Sequence, residues 1–150
     1  MNAVDPRDLP VLLASQRFES DNETESLDRI RMQKAVFLVV MQGPPEWRSL
    51  YHFRPYDWGP YSRDLTADLD AMLSDRVLEQ SMDTGRRYAG YHTTATGEAL
   101  ASEAAAELSE AEADFVARVR SFVTTRSFNQ LLKDVYAAYP EYAVASRFQA

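Results

Sequence analysis

Apolar side chains recur every three or four residues along much of this 150-residue chain, the spacing that gathers them on one face of an α-helix. The clearest such segment is predicted to begin after a cap at Ser26 and to stop at Gly43. Its apolar face carries Leu27, Ile30, Phe37, Val40 and Met41. Further helices are predicted over residues 8–18, after Ser62, after Thr94 or Thr96, after the capping box of Ser109 and Glu112, and after that of Ser127 and Gln130, with a stop near Tyr139 ahead of Pro140.

Three short segments have the composition and alternation that favour strands: residues 50–54, 77–80 and 86–93. The last two flank Asp83-Thr84-Gly85, a turn sequence of the hairpin type. Helix, strand, helix and hairpin in that order, followed by a Thr-x-x-Gly turn at residues 94–97 and another helix, are typical of a winged-helix module. We therefore predict an α+β, mostly helical fold in a single domain over residues 1–150. It comprises an N-terminal helix and acidic loop (1–25), a winged-helix-like core (26–94) and C-terminal helices (95–150).

The segment that precedes the helix capped by Ser62 has an unusually specific sequence. We call it the aromatic turn: PYDWGPYS, residues 55–62, in which three aromatic side chains surround a Gly-Pro dipeptide. One interpretation is a rigid joint, since Tyr and Trp bury large surfaces and lock a turn against a core. The other is a recognition surface, because Trp, Tyr and Arg are enriched among the residues that dominate protein interfaces. On the second interpretation the candidate protein-binding residues are Arg54, Tyr56, Trp58, Tyr61 and Arg63.

Composition and charge narrow the classes of function. The chain has no cysteine, which excludes disulfides, cysteine-bound zinc and thiol catalysis. The N-terminus lacks the pattern of a signal peptide, and the longest apolar run, residues 35–41, is far short of the roughly 20 residues that span a bilayer. We therefore expect a cytoplasmic protein without membrane contact. The net charge of −7 also predicts weak non-specific affinity for nucleic acid, because that affinity depends on Lys and Arg neutralising phosphates.

A winged-helix DNA-binding regulator is an alternative. The helix after the aromatic turn would be its recognition element and the hairpin its wing. The candidate phosphate contacts are Arg63, Arg76, Arg86 and Arg87. Four aspartates of the same helix would repel the DNA backbone: Asp64, Asp68, Asp70 and Asp75. Elsewhere, Arg29, Arg31 and Lys34 are interpreted as a solvated helix face or as ion-pair partners of the nearby acidic loop.

Patterns that indicate catalysis or metal binding are weak. His52 and His92 lie on predicted strands and would meet only if those strands paired, so we interpret both as surface or boundary residues. Ser62 lacks the G-x-S-x-G elbow of serine hydrolases, and its position as a helix cap accounts for it. The sequence contains no metal-binding motif and no glycine-rich phosphate loop. We predict no catalytic residue, no metal and no cofactor, and keep an enzyme without a visible site, or an enzyme accessory subunit, as a further alternative.

Three segments together resemble a known family. Residues 31–38, RMQKAVFL, resemble the LQKLLYL-type helix of the Panacea (SocA-like) antitoxin domain and of the YwgA-type proteins. Residues 53–62, FRPYDWGPYS, resemble the Gly-Pro turn of these proteins and are closer to the YwgA form than to the Gly-Pro-Val form of Panacea. Residues 131–136, LLKDVY, followed by Tyr139-Pro140-Glu141 and Ser146, are similar to the C-terminal signature of the YwgA type. The resemblance spans residues 27–146.

The resemblance implies a small, mostly helical protein without catalytic residues. Panacea domains neutralise diverse toxins by protein contact, one member is a proteolytic adaptor for its toxin, and some YwgA-type genes lie beside mobile or defence loci. We therefore expect a non-enzymatic interaction or regulatory protein, antitoxin-like or associated with phage defence, whose partner is a toxin or defence effector. The chain departs from the Panacea pattern at Tyr61 and has additional acidic sequence. No functional residue of the family is carried over. The oligomeric state is left open, a homodimer included.

Overall fold

The computed structural model describes residues 4–82 and 85–148, and helices make up most of this part of the chain. The helices are α1 (Asp8–Ala14), α2 (Arg29–Gln42), α3 (Arg63–Ser74), α4 (Ala95–Ala106), α5 (Glu110–Thr124) and α6 (Phe128–Ala138). Short 3₁₀ turns follow α1 (Gln16–Phe18), α2 (Pro45–Trp47) and α6 (Pro140–Ala143). One antiparallel hairpin joins β1 (Arg54–Tyr56) to β2 (Gly59–Tyr61), and another joins β3 (Leu78–Ser81) to β4 (Gly90–Thr93). The predicted α+β, mostly helical class is confirmed.

Polar side chains start four of the helices as predicted. A side-chain oxygen at each cap accepts a hydrogen bond from a backbone N–H of the first turn, which satisfies a group that the helix itself leaves unpaired. These caps are Ser62 for α3, Thr94 for α4, Ser109 for α5 and Ser127 for α6. The capping box of Ser109 and Glu112 is complete. In the second box the Gln130 side chain donates to Asp134 instead of returning to the cap.

The start of α2 differs from the prediction. Asp28 caps it by accepting from the N–H of Arg31 at 2.9 Å, and the predicted cap Ser26 takes no part. Ser26 and Leu27 instead run along the outer edge of β4, where the Leu27 carbonyl accepts from the N–H of Tyr91 at 3.0 Å. The backbone of Leu27 therefore pairs with β4, a strand from a distant part of the sequence, instead of joining α2.

Helix α2 lies at the centre of the fold. Every residue from 31 to 40 is buried, so this helix is enclosed on all sides rather than along one face. Helices α1 and α5 and strand β2 pack against it. Buried apolar side chains from α1 to α6 form one contiguous core around it.

The strands are shorter than predicted. Residues 50–53 are irregular and β1 begins at Arg54, because the aromatic turn folds back as a hairpin of its own. The strand predicted over residues 86–93 reduces to β4, since Arg86 turns away and donates to the Glu23 carbonyl at 2.9 Å. The first two residues of the predicted turn Asp83-Thr84-Gly85 lie outside the described residues. The order α2, β1–β2, α3, β3–β4 otherwise keeps the predicted winged-helix-like sequence of elements, with a hairpin in place of the single strand.

The Thr-x-x-Gly turn fixes how α4 meets the end of α3. The Thr94 hydroxyl donates to the carbonyl of Arg76 at 2.6 Å, in addition to capping α4. Gly97 lies so close to the backbone that a Cβ there would be 2.1 Å from the Val77 carbonyl oxygen. The glycine is therefore required by close packing.

The acidic loop is part of the packed structure. The Glu23 carboxylate binds the guanidinium of Arg120, whose side chain is 2% exposed, and the longer of the two contacts is 3.1 Å. The same guanidinium donates to the Leu13 carbonyl in α1. The Thr124 carbonyl at the end of α5 accepts from two backbone N–H groups of the loop. Helix α1, the acidic loop and α5 thus meet at one buried charge.

Candidate functional site

The aromatic turn forms the loop of the first hairpin. Tyr56 lies opposite Gly59, and Asp57 and Trp58 connect the two strands. Gly59 has a φ of +93°, a conformation that other residues rarely adopt, so this turn requires glycine. Gly59 and Pro60 are buried, whereas Tyr56 is 45% and Trp58 38% exposed. The turn therefore has an inner half that packs against the protein and an outer half that faces solvent.

Two consecutive residues of α2 hold the hairpin in place. Gln33 Oε1 accepts from the N–H of Ser62 at 2.8 Å, and its Nε2 donates to the Ser62 carbonyl at 3.1 Å. The Lys34 amine donates to the Pro60 carbonyl at 3.3 Å. Gly59 lies so close to this lysine that a Cβ would be 2.8 Å from Lys34 Cε. A physical contact therefore joins two of the segments on which the family resemblance depends.

Replacing Gly59 with alanine is expected to destabilise the protein by about 1–2 kcal/mol or more, because positive φ strains other residues and the added Cβ meets Lys34. Urea unfolding followed by circular dichroism measures the loss. Gly85 offers a matched control, since its φ is +81° but a Cβ there would meet no atom within 4 Å. Gly85→Ala reports backbone strain alone, so the difference between the variants isolates the contact with Lys34. Equal losses would show that this contact contributes nothing.

Behind the exposed rings lies a depression of about 200 Å³, which we call the aromatic cleft. Its walls include Tyr56, Trp58 and Tyr61, and its base includes Ile30 and Lys34 of α2. The rings of Tyr56 and Tyr61 stack with their centroids 4.9 Å apart. The volume is below the roughly 300–1,000 Å³ of pockets for small molecules and cofactors. The cleft therefore suits a side chain or a small group.

Lys34 is the unusual group in this cleft. The residue is 3% exposed, and burial lowers the pKa of its amine from the ordinary 10.5 to about 7, against an opposing effect of the Asp28 carboxylate. Among the described residues no carboxylate lies within ion-pair distance of Nζ, and the Pro60 carbonyl is its one hydrogen-bond acceptor. A buried lysine without a carboxylate costs stability, and strongly shifted pKa values concentrate at functional sites. The lysine therefore marks the cleft as the candidate site.

Comparison with known proteins does not assign this chain to a family. No family model matches the chain. No curated protein matches its sequence. The resemblance to Panacea and YwgA-type proteins therefore stays a prediction from three sequence segments, and the site itself must support any function.

The aromatic cleft continues into what we call the α2 groove, formed with two adjoining depressions of about 330 and 450 Å³. Ile30 lines the cleft and both depressions. Trp58 lines the cleft and the larger depression, and its ring meets that of Phe128 edge-on, with the centroids 5.5 Å apart. Tyr88 lines both depressions and is 53% exposed. The groove thus extends from the first hairpin to the loop before β4.

The structure brings together four of the five candidate protein-binding residues. Tyr56, Trp58 and Tyr61 line the cleft. The Arg54 guanidinium lies over the Tyr56 ring, 5.7 Å from its centroid. Arg63 is the exposed first residue of α3 and does not line the cleft.

The four arginines considered for DNA contact do not form one patch along a single element: Arg63 begins α3, Arg76 follows its last turn, and Arg86 and Arg87 lie in the loop before β4. The first two lie at opposite ends of α3, roughly 20 Å apart along the helix axis. The exposed face between them carries Asp64 and Asp70. Arg86 is held by its hydrogen bond to the acidic loop, and Arg87 lines the larger depression of the α2 groove. The pattern of charge on α3 therefore opposes contact with a phosphate backbone.

Burial of Arg31 and Lys34 corrects the interpretation of this part of α2 as a solvated face. Arg31 binds Asp28 at 2.6 Å and approaches Glu25 of the acidic loop at 3.9 Å, so the alternative of an ion pair is correct for this residue. Arg29 is exposed, as predicted, and lines the cleft. Its guanidinium forms an ion pair with Asp70 of α3 at 3.5 Å.

The role of Lys34 was not predicted, although the sequence carries a signal for it. The apolar positions of α2 are spaced by three and four residues, and this spacing continues through position 34 between Ile30 and Phe37. A cation in the middle of an apolar stripe is expected to point inward with the stripe. Gln33 has no comparable signal, because its role depends on where Ser62 arrives from a distant part of the sequence.

Residues 146–148 close the back of the hairpin. The N–H of Arg147 donates to the Asp57 carbonyl at 2.8 Å. The Ser146 hydroxyl donates to the same carbonyl at 3.4 Å and accepts from the hydroxyl of Tyr136 at 2.6 Å. The third segment of the family resemblance therefore also contacts the aromatic turn.

The other candidate chemistry produces no site among the described residues. His52 lies before β1, outside the strands, whereas His92 lies on β4. Among the described residues β4 pairs with β3 and not with β1, so strand pairing does not bring the two imidazoles together. Ser62 Oγ is buried as the cap of α3. No three His, Cys, Asp or Glu side chains in this part of the chain are grouped to hold a metal. No helix in it combines the length and apolarity needed to cross a bilayer.

Proposed function

We propose that this protein is a non-enzymatic interaction domain that binds a partner protein through the α2 groove. The observation that supports this most directly is the set of exposed aromatic side chains along the groove: Tyr56, Trp58 and Tyr88. Large apolar side chains exposed at a concave surface indicate an interaction site. The hairpin also holds two of these rings in place before binding, which reduces the entropy that ordering them would cost.

Arginines accompany these rings. Arg29 lines the aromatic cleft, Arg54 lies over the Tyr56 ring, and Arg87 lies beside the Tyr88 ring at 5.6 Å from its centroid. Protein interfaces typically combine an apolar centre with a polar rim. Trp, Tyr and Arg are also the residue types that supply most of the binding energy. The composition of the groove therefore supports a protein partner.

The partner that we propose is a toxin or a defence effector. This identity comes from the resemblance of three segments to SocA-like antitoxin domains. All three meet at the first hairpin: Gln33 and Lys34 support it from α2, and Ser146 contacts its loop. An antitoxin-like domain acts by occupying its partner, which requires a binding surface and no catalytic group.

The double variant Tyr56→Ala/Trp58→Ala tests the proposal. We expect the immobilised wild-type protein to capture one specific protein from an extract of its native host. The double variant should bind that protein with an affinity reduced by about 100-fold or more. Both side chains are more than a third exposed, so the variant is expected to fold, as its unfolding curve would show. Leu100→Ala is the control, since Leu100 is 41% exposed on α4 outside the groove. Equal capture by the double variant, or no specific partner for the wild type, would overturn the proposal.

The two alternatives receive less support from the geometry. A DNA-binding surface on α3 would have to accommodate Asp64 and Asp70 on its exposed face. An enzyme that used Lys34 would need a neighbouring acid or base, and the lining of the aromatic cleft, as far as the structure describes the chain, includes neither a carboxylate nor an imidazole.

A further inference from the structure

The aromatic cleft contains a cation without a counterion. Among the described residues that line the cleft, two carry a charge, Lys34 at the base and Arg29 beside it, and none is Asp or Glu. In the described part of the chain, the one hydrogen bond of the Lys34 amine is to the neutral Pro60 carbonyl, at 3.3 Å. Arg29 already pairs with Asp70 of α3 at 3.5 Å, so the charge left without a carboxylate partner in this cleft is that of Lys34.

Other buried cations of this protein have carboxylate partners. Arg31 binds Asp28 at 2.6 Å, and Arg120 binds Glu23. Those two guanidiniums join helices and loops of the core. Lys34 differs because it lines a cleft that opens into the α2 groove. The missing counterion is therefore in a place that a binding partner can reach.

We propose that the aromatic cleft binds a carboxylate of the partner polypeptide, which pairs with Lys34 at the base while the adjoining side chain of the partner packs against Tyr56 and Trp58. Arg29 also lines the cleft, where its guanidinium is paired with Asp70 at 3.5 Å, so Lys34 is the group that the carboxylate completes. The inference rests on the proposed function and specifies the chemistry of its partner. An ion pair away from water stabilises a complex strongly when each charged group is fully hydrogen-bonded. Removing one partner leaves the other charge buried and unpaired, which weakens binding.

The cleft fits a carboxylate better than a phosphate. Its volume is about 200 Å³, and its lining includes three aromatic rings and the apolar side chains of Ile30 and Leu69. Asp28 caps the N-terminus of α2 and so occupies a backbone N–H group that would otherwise attract a phosphate.

Binding of the carboxylate also favours the protonated amine. Because burial holds the pKa of Lys34 at about 7, the carboxylate should bind with uptake of a proton, and its affinity should fall about tenfold per pH unit above that value.

The two lysines of the chain, Lys34 and Lys133, allow a direct test. Protein with ¹³C-labelled lysine is titrated with N-acetyl-phenylalanine and, as the uncharged match, with its primary amide. We expect the acid alone to shift the Lys34 Cε resonance and to raise the Lys34 pKa by about one unit or more. Lys133 is exposed on α6 and is expected to keep its resonance and pKa, so it serves as an internal reference.

Lys34→Met and Lys133→Met provide the matched variants. Lys34→Met is expected to bind acid and amide equally, whereas Lys133→Met keeps a preference for the acid of about tenfold or more. Equal effects of acid and amide on the wild type, or no response of Lys34 at millimolar probe, would overturn the inference. Tighter binding of inorganic phosphate than of acetate at Lys34 would overturn it as well.

The inference and the proposed function fail in different experiments. If Lys34→Met captures the partner with wild-type affinity while Tyr56→Ala/Trp58→Ala does not, the carboxylate is wrong and the groove stands as the interface. If N-acetyl-phenylalanine binds at Lys34 but no partner depends on the aromatic side chains, the proposed function is wrong. The carboxylate would then come from a small molecule.

Discussion

Replacement of Lys34 by methionine is expected to stabilise the protein by about 1–4 kcal/mol at pH 7, as when buried charges give way to apolar side chains of similar volume. Methionine keeps the unbranched shape of the side chain and removes an amine that is buried without a carboxylate. Loss of the hydrogen bond to Pro60 offsets about 1 kcal/mol, which places the gain in the lower half of that range. The free energy of unfolding in urea, followed by circular dichroism, measures the effect.

The same substitution is expected to change how stability depends on pH. The folded protein lowers the pKa of Lys34 from 10.5 to about 7, so between these values the unfolded chain binds more protons than the folded one. Wild-type stability should therefore rise with pH above 7, by up to about 1.4 kcal/mol per pH unit. Above about pH 10 the trend reverses, because burial raises the pKa of Tyr51 and Tyr91 in the folded state. Lys34→Met should flatten the rise between pH 7 and the onset of this reversal.

Lys133→Met is the control for both effects. Lys133 is exposed on α6, and its replacement should leave stability within about 0.5 kcal/mol of the wild type at every pH. A loss of stability in Lys34→Met, or a wild-type stability that stays level from pH 7 to 9, would contradict this account. A gain would mean that the native lysine reduces stability, as expected of a residue kept for binding.

The second large effect is expected at the acidic loop. Glu23→Ala should destabilise the protein by about 3–5 kcal/mol, because it removes the carboxylate that hydrogen-bonds the buried guanidinium of Arg120 and leaves only Glu19, at 4.0 Å. The loss should appear in the midpoint of urea unfolding. Asp21→Ala removes the same charge from an exposed position of the same loop, and should change stability by less than about 0.5 kcal/mol.

A double-mutant cycle separates the ion pair from the loss of packing. Arg120→Met is made alone and together with Glu23→Ala; the double variant removes the buried charge that has lost its hydrogen-bonded carboxylate, and should recover much of the stability that Glu23→Ala alone loses. If the two single losses simply add in the double variant, then Glu23 and Arg120 are not coupled. In that case the acidic loop is held by its backbone hydrogen bonds to Thr124.

The starts of α3, α4, α5 and α6 were predictable because a cap acts on the backbone of its own first turn. The hydroxyls of Ser62 and Ser109 each accept a hydrogen bond from the backbone N–H three residues later, in the first turn of the helix that they cap. The start of α2 was not predictable in this way. It depends on β4, which lies more than 60 residues later and takes the backbone of Leu27 as an edge partner. Local chemistry therefore decides most helix boundaries here, and a long-range strand contact decides the exception.

The candidate site divides along the same line. Its aromatic half, Tyr56 and Trp58, was recognisable from residue type and from the turn that carries it. Its cationic half was misinterpreted, because charged residues are rarely buried and a lysine on a helix is normally solvated. Gly59 and Pro60, which come from a separate segment, lie against the Lys34 side chain and contribute to its burial. The periodicity of α2 indicates the direction of this side chain, and the contact itself requires the tertiary structure.

The hydrogen bond from Arg147 to Asp57 makes a backbone amide near the end of the sequence a reporter of the cleft. This amide exchanges with solvent only when residues 146–148 detach from the hairpin loop. A ligand that binds only the closed hairpin makes that opening rarer, by a factor of one plus the ratio of its concentration to its dissociation constant. Occupancy at Lys34 and protection at Arg147 are then two measures of one equilibrium, linked through the backbone of a single turn.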